Sequence, residues 1–123
     1  MTFTDENLGR IEVSPSAIAT LVAEAVQECY GVVGMSSRNI ITGLTGSLQR
    51  GARRGITVQR GEDGIVVDIY VIVEYGTRIT EVAAGVMRRV RFTLENVAGL
   101  PIEAINVHVQ GLRVDDEQLV AKG

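Results

Sequence analysis

A chain of 123 residues with 46% hydrophobic residues has the size and composition of one globular domain that can bury a core. Its net charge of −3 weighs against a general nucleic-acid binder, and its single cysteine excludes an internal disulfide and fits a reducing compartment. No Trp is present, so the core is expected to be aliphatic. The most apolar stretch, Ile65 to Val73, is broken by Asp68 and is too short to span a bilayer. The opening MTFTDENLGR has no basic start followed by an apolar run, so no secretory signal is expected. These features point to the cytoplasm.

In chain order, residues 1–7 read as an N-terminal extension, residues 8–114 as one α+β domain and residues 115–123 as an acidic tail carrying Asp115, Asp116 and Glu117. The first helix is expected over 15–30. Ser14 suits an N-cap and Pro15 the first helical position, where a missing N–H costs nothing. Ile18, Leu21, Val22, Ala25, Val26 and Cys29 then form one apolar stripe, and Gly31 can end the helix. Val32–Met35 reads as a short extra strand. Residues 36–55 keep a weak helical spacing interrupted by glycines, which suits a basic mobile loop or a short helix.

Residues 56–59 and 65–75 read as a β-hairpin around the turn Gly61–Gly64. A second helix is expected over 79–97, its stripe running from Ile79 through Val82, Val86, Val90 and Leu94 to Val97. A last strand covers about 104–110, with room to extend to 114. The order helix, hairpin, helix, strand predicts two helices packed on one face of a three-stranded sheet. Ile65, Val67, Ile69, Val71, Val73, Ile105, Val107 and Val109 should meet the helices. Period-two alternation leaves Thr57, Gln59, Asp68, Tyr70, Ile72, Asn106, His108 and Gln110 on the open face.

Little in this inventory suits catalysis. His108 is the lone histidine; an acid–base role beside Asp68 lacks an evident nucleophile, and a solvent-facing strand position explains it more simply. His108 and Cys29 together cannot supply the four ligands of a structural zinc site, so neither metal nor cofactor is expected. Cys29, on the helix stripe, reads as a packing thiol. Two surfaces remain as partner-binding candidates. One is the open face with Asp68, Tyr70, Ile72, His108 and Gln110. The other is the basic stretch 38–60, represented by Arg50, Arg53 and Arg54, which fits a solvated loop, a dock for anionic lipid or an acidic protein, or a nucleic-acid backbone contact. The KH-like alternative would use that Arg-rich segment on RNA. Three G-x-x-G matches, at Gly31, Gly43 and Gly61, show how easily its signature arises here, and none joins two firmly expected helices.

Several motifs in order carry a family resemblance. They are Gly9-Arg10-Ile11-Glu12-Val13-Ser14-Pro15, Gly31-Val32-Val33-Gly34-Met35, the run from Val66 to Gly76, and Ile105-Asn106-Val107-His108-Val109-Gln110-Gly111. Together they resemble the alkaline shock proteins, general stress or cell-envelope stress response proteins of Gram-positive bacteria, over about residues 8–114. The resemblance implies a cytoplasmic, non-enzymatic protein that self-associates and sits at the inner face of the membrane through a separate membrane-anchoring partner. It implies no catalytic residues. Thr80 stands where the resemblance leads one to expect a proline at the start of the second helix.

Overall fold

The computed structural model describes residues 2–5, 8–35, 52–53 and 55–114. Its elements are β1 (Thr2–Asp5), β2 (Gly9–Glu12), α1 (Pro15–Gln27), β3 (Val32–Met35), β4 (Ala52–Arg53), β5 (Ile56–Arg60), β6 (Ile65–Glu74), α2 (Ile79–Phe92) and β7 (Ile102–Arg113), with a π-helical turn at Thr93–Val97 closing α2. The α+β class holds. The three-stranded sheet does not: β3 to β7 build five strands, and β1 with β2 adds a separate antiparallel ribbon.

The reason lies in β6. One of its edges is shared, with β5 pairing antiparallel along Ile65–Ile69 and β3 along Val71–Val73. Its other edge carries β7, parallel, over the whole of Ile65–Glu74. A parallel neighbour needs a crossover, and α2 supplies it. The short β4 pairs with β5, Ala52 opposite Thr57 and Arg53 opposite Ile56. Two-residue and bulged strands leave no period-two signature, which is why β4 was not expected.

α1 begins as its sequence dictates: the Ser14 hydroxyl accepts from Ala17 N–H at 3.1 Å, with Pro15 in the first turn. It ends at Gln27, three residues before the expected end, and Gly31 at φ +88° turns the chain into β3. On α2 the stripe is buried through Val82, Val86, Val90 and Leu94, whereas its outer positions Ile79 and Val97 are exposed. The π-turn is closed by Ala98 N–H donating to Thr93 O at 2.9 Å, and Gly99 at φ +73° releases the chain toward β7. Both helices lie on the face formed by Ile65, Val67, Ile69, Val71, Val73 and Ile105, in a core with no buried polar side chain among the described residues. Arg60 ties the ribbon to the end of β5, its guanidinium donating to Thr2 O at 3.0 Å and lying 5.5 Å from the Phe3 ring.

Candidate functional site

The open face is assembled by the parallel register of β6 and β7, which sets Asp68 beside Asn106 and Tyr70 beside His108. The rings of Tyr70 and His108 stack with centroids 4.4 Å apart and planes 9° apart. Asp68 Oδ1 lies 3.1 Å from His108 Nε2 and accepts from Asn106 Nδ2 at 3.2 Å. One carboxylate oxygen therefore gathers two side chains of the neighbouring strand, and the stack fixes the plane of the imidazole. Such a cluster holds its shape before any partner arrives, which lowers the ordering cost of binding.

Tyr70 sits at a junction. It is the residue at which the edge partner of β6 changes from β5 to β3, and its N–H donates to Gly55 O at 2.8 Å. Tyr70 is only 7% exposed, so it is not the open contact surface that alternation suggested; it backs His108, whose side chain is 42% exposed. Ile72 is half-buried beside Gly111. Gln110 falls where β7 skips a residue between Val109 and Gly111, so it has no register partner on β6. Alternation assumes an unbroken ladder, and a bulge ends that assumption. Asn106, expected on the open face by the same alternation but not named as a partner-binding candidate, joins the cluster through Asp68.

Of the basic candidates, Arg53 belongs to β4 rather than to a loop or helix. Arg50 and Arg54, with nearly all of 36–54, lie outside the described residues. The KH-like reading gains nothing from the described residues: Gly31–Gly34 runs into β3 and Gly61–Gly64 closes the β5–β6 hairpin, so neither joins two helices.

A second concavity of about 630 Å³ lies between the end of α1 and α2, lined among others by Cys29, Tyr30, Arg78, Gly85, Arg88 and Arg89. The spacing of Arg88–Arg89 after Gly85 is its only trace in the sequence. Cys29 is half-buried there, its thiol donating to Ala25 O at 3.4 Å. Burial pushes the thiol pKa up, partly opposed by Arg89 and reinforced by Glu28. Arg89 and Glu28 form an ion pair at the rim. Among the described residues no group of three or more His, Cys, Asp or Glu could hold a metal ion, and no helix is long and apolar enough to cross a membrane.

Fold and site together define a small α+β domain with a pre-ordered polar sheet face. The chain belongs to the alkaline shock protein 23 family, described by a cell envelope-related function, whose model matches residues 4–114. It is 42% identical over 108 residues to YloU of Bacillus subtilis (strain 168), covering 86% of this chain and 90% of that protein. It is 36% identical over 118 residues to YqhY of the same organism, covering 94% and 85%. Among solved structures, a zinc form of a MamM CTD variant aligns with a TM-score of 0.48 and 14% identity over 81% of this chain and 88% of that one, a likeness too distant to bear on function.

Proposed function

We propose that this chain is a non-catalytic protein of the cell envelope response that self-associates and is held by a protein partner at the inner face of the membrane. The family's cell envelope-related function supplies the setting. The observation that carries the binding role is the Asp68–His108–Asn106–Tyr70 cluster. Asp68 is only 22% exposed, with one oxygen contacted by two side chains, and His108 is stacked and tied through Nε2. Groups held by one another in this way present a rigid recognition surface.

The test is a photo-crosslinking residue placed at Ile72 in the native chain, used in cells. Adducts with the chain itself or with one recurrent membrane protein are expected, and they should fall sharply when His108→Ala is added. Recovery of one recurrent small metabolite that the purified protein converts would overturn the reading. So would the absence of any recurrent adduct.

A further inference from the structure

β7 is twelve residues long, about twice the usual strand, and β6 is its only strand partner among the described residues. Backbone N–H and C=O groups of a strand point alternately to its two sides, so close to half of those on β7 face away from β6. An edge of this kind is a template for another strand unless it is blunted by proline, charge, bulges or a cover. The register of β7 skips at Glu103 and at Gln110, so both ends are bulged. Between the bulges, Ala104-Ile105-Asn106-Val107-His108-Val109 runs without a break and without a proline, lysine, arginine or carboxylate.

We infer that residues 105–109 of this run pair antiparallel with the same five residues of a second copy, about a two-fold axis through Val107. Antiparallel partners directly opposite each other share a face, so a two-fold axis must pass through a residue and not between two. Centring on Val107 sets Val107 against its own copy and Ile105 against Val109, all apolar and all on the helix-covered side. Centring on Asn106 instead would set apolar Val109 against the Glu103 carboxylate, whereas centring on Val107 brings only Ala104 and Gln110 to the bulged margin. Val107 and Val109 are only partly buried at the margin of the core, and a second copy covers them. On the open side the same register sets Asn106 against His108 of the other copy, which extends the polar cluster across the junction. The result joins the five described strands of each copy into one continuous sheet, with α1 and α2 of both copies on one face. It is closed by its symmetry and leaves no free β7 edge.

This inference rests on the self-association proposed above and names its surface. The test combines sedimentation over a concentration series with backbone hydrogen exchange of the full chain, and with cysteine pairs in a Cys29→Ala background. Dimerisation is expected to slow exchange at alternate amides of residues 105–109 by about tenfold or more. Val107→Cys should oxidise to a covalent dimer, because residues on the axis lie within disulfide reach. Ile105→Cys, facing Val109 of the other copy, should not. Asn106→Lys, at an exposed position that adds charge to the edge, should weaken the dimer by about tenfold or more relative to Asn106→Ala, which gives up the same contact to Asp68 without adding charge. An oligomer whose 105–109 amides exchange at the monomer rate, or in which Ile105→Cys links as readily as Val107→Cys, overturns edge pairing and leaves the broader reading standing. A chain that stays monomeric throughout overturns both.

Discussion

Tyr70 and His108 lie face to face across the parallel junction of β6 and β7, with ring centroids 4.4 Å apart. The pair exists because α2 returns the chain parallel to β6, in a register that sets these two residues side by side. His108→Ala removes the stack and one of the two contacts to Asp68, and Asn106 alone still holds the carboxylate. The half-exposed contact to Asp68 contributes little, so the stack dominates and a loss of about 1 kcal/mol is expected in urea unfolding. His108→Phe keeps the rings together and should recover roughly half of that. Equal stability of the alanine variant and the parent would remove the stack as a structural element.

Gly31 and Gly99 both have positive φ, +88° and +73°, but their surroundings differ. A Cβ on Gly31 would lie 2.7 Å from Val82 Cγ2, whereas one on Gly99 meets nothing within 4 Å. Gly99→Ala should therefore show only the backbone penalty of about 1–2 kcal/mol, and Gly31→Ala clearly more. Adding Val82→Ala to Gly31→Ala should relieve the clash, so the double variant is more stable than the sum of the two losses. Thermal melts giving the same cost for both glycines would refute the close packing of Gly31 on α2.

Gly85 lies inside α2, and a Cβ there also meets nothing within 4 Å. Alanine at this position carries no steric cost and gains helix propensity, so Gly85→Ala should stabilise the chain by about 0.5–1 kcal/mol. A lower melting temperature for this variant would mean that the space beside α2 is filled in the native protein.

Cys29 has its thiol pKa raised by burial, so the neutral form is favoured in the folded chain. The rate of alkylation against pH should have its midpoint above that of a free thiol, and it should move to the free-thiol value on unfolding. The sign for stability follows. The contribution is fully present below the unfolded thiol pKa, and it is lost as pH rises through the raised folded value. Replacing Arg89 by Ala removes the opposing cation and should move the midpoint further up. A midpoint at or below the free-thiol value would contradict the burial.

Much of this molecule was legible from local chemistry. Ser14-Pro15 located the start of α1, and the spacing of Val82, Val86, Val90 and Leu94 marked the buried side of α2. Alternation in Ile65–Val73 sorted the two faces of β6, because a one-residue slip would bury Asp68. The same alternation placed Asp68, Tyr70 and His108 on one face. It could not show that Tyr70 would be buried, since burial depends on what packs against its ring in the folded chain, the stacked His108 included. Nor could it place Gln110, because a bulge is a long-range mismatch between two strands.

Sequence alone determined the two helices, the β5–β6 hairpin, the last strand and their amphipathic faces, because these depend on residue type and on spacing within one segment. The tertiary structure alone decided that the last strand runs parallel to β6, that Asp68 gathers Asn106 and His108, and that β6 is the one strand partner of β7 among the described residues. Each of those is a relation between segments nearly forty residues apart, set by the crossover through α2 and by backbone hydrogen bonding that no local pattern encodes.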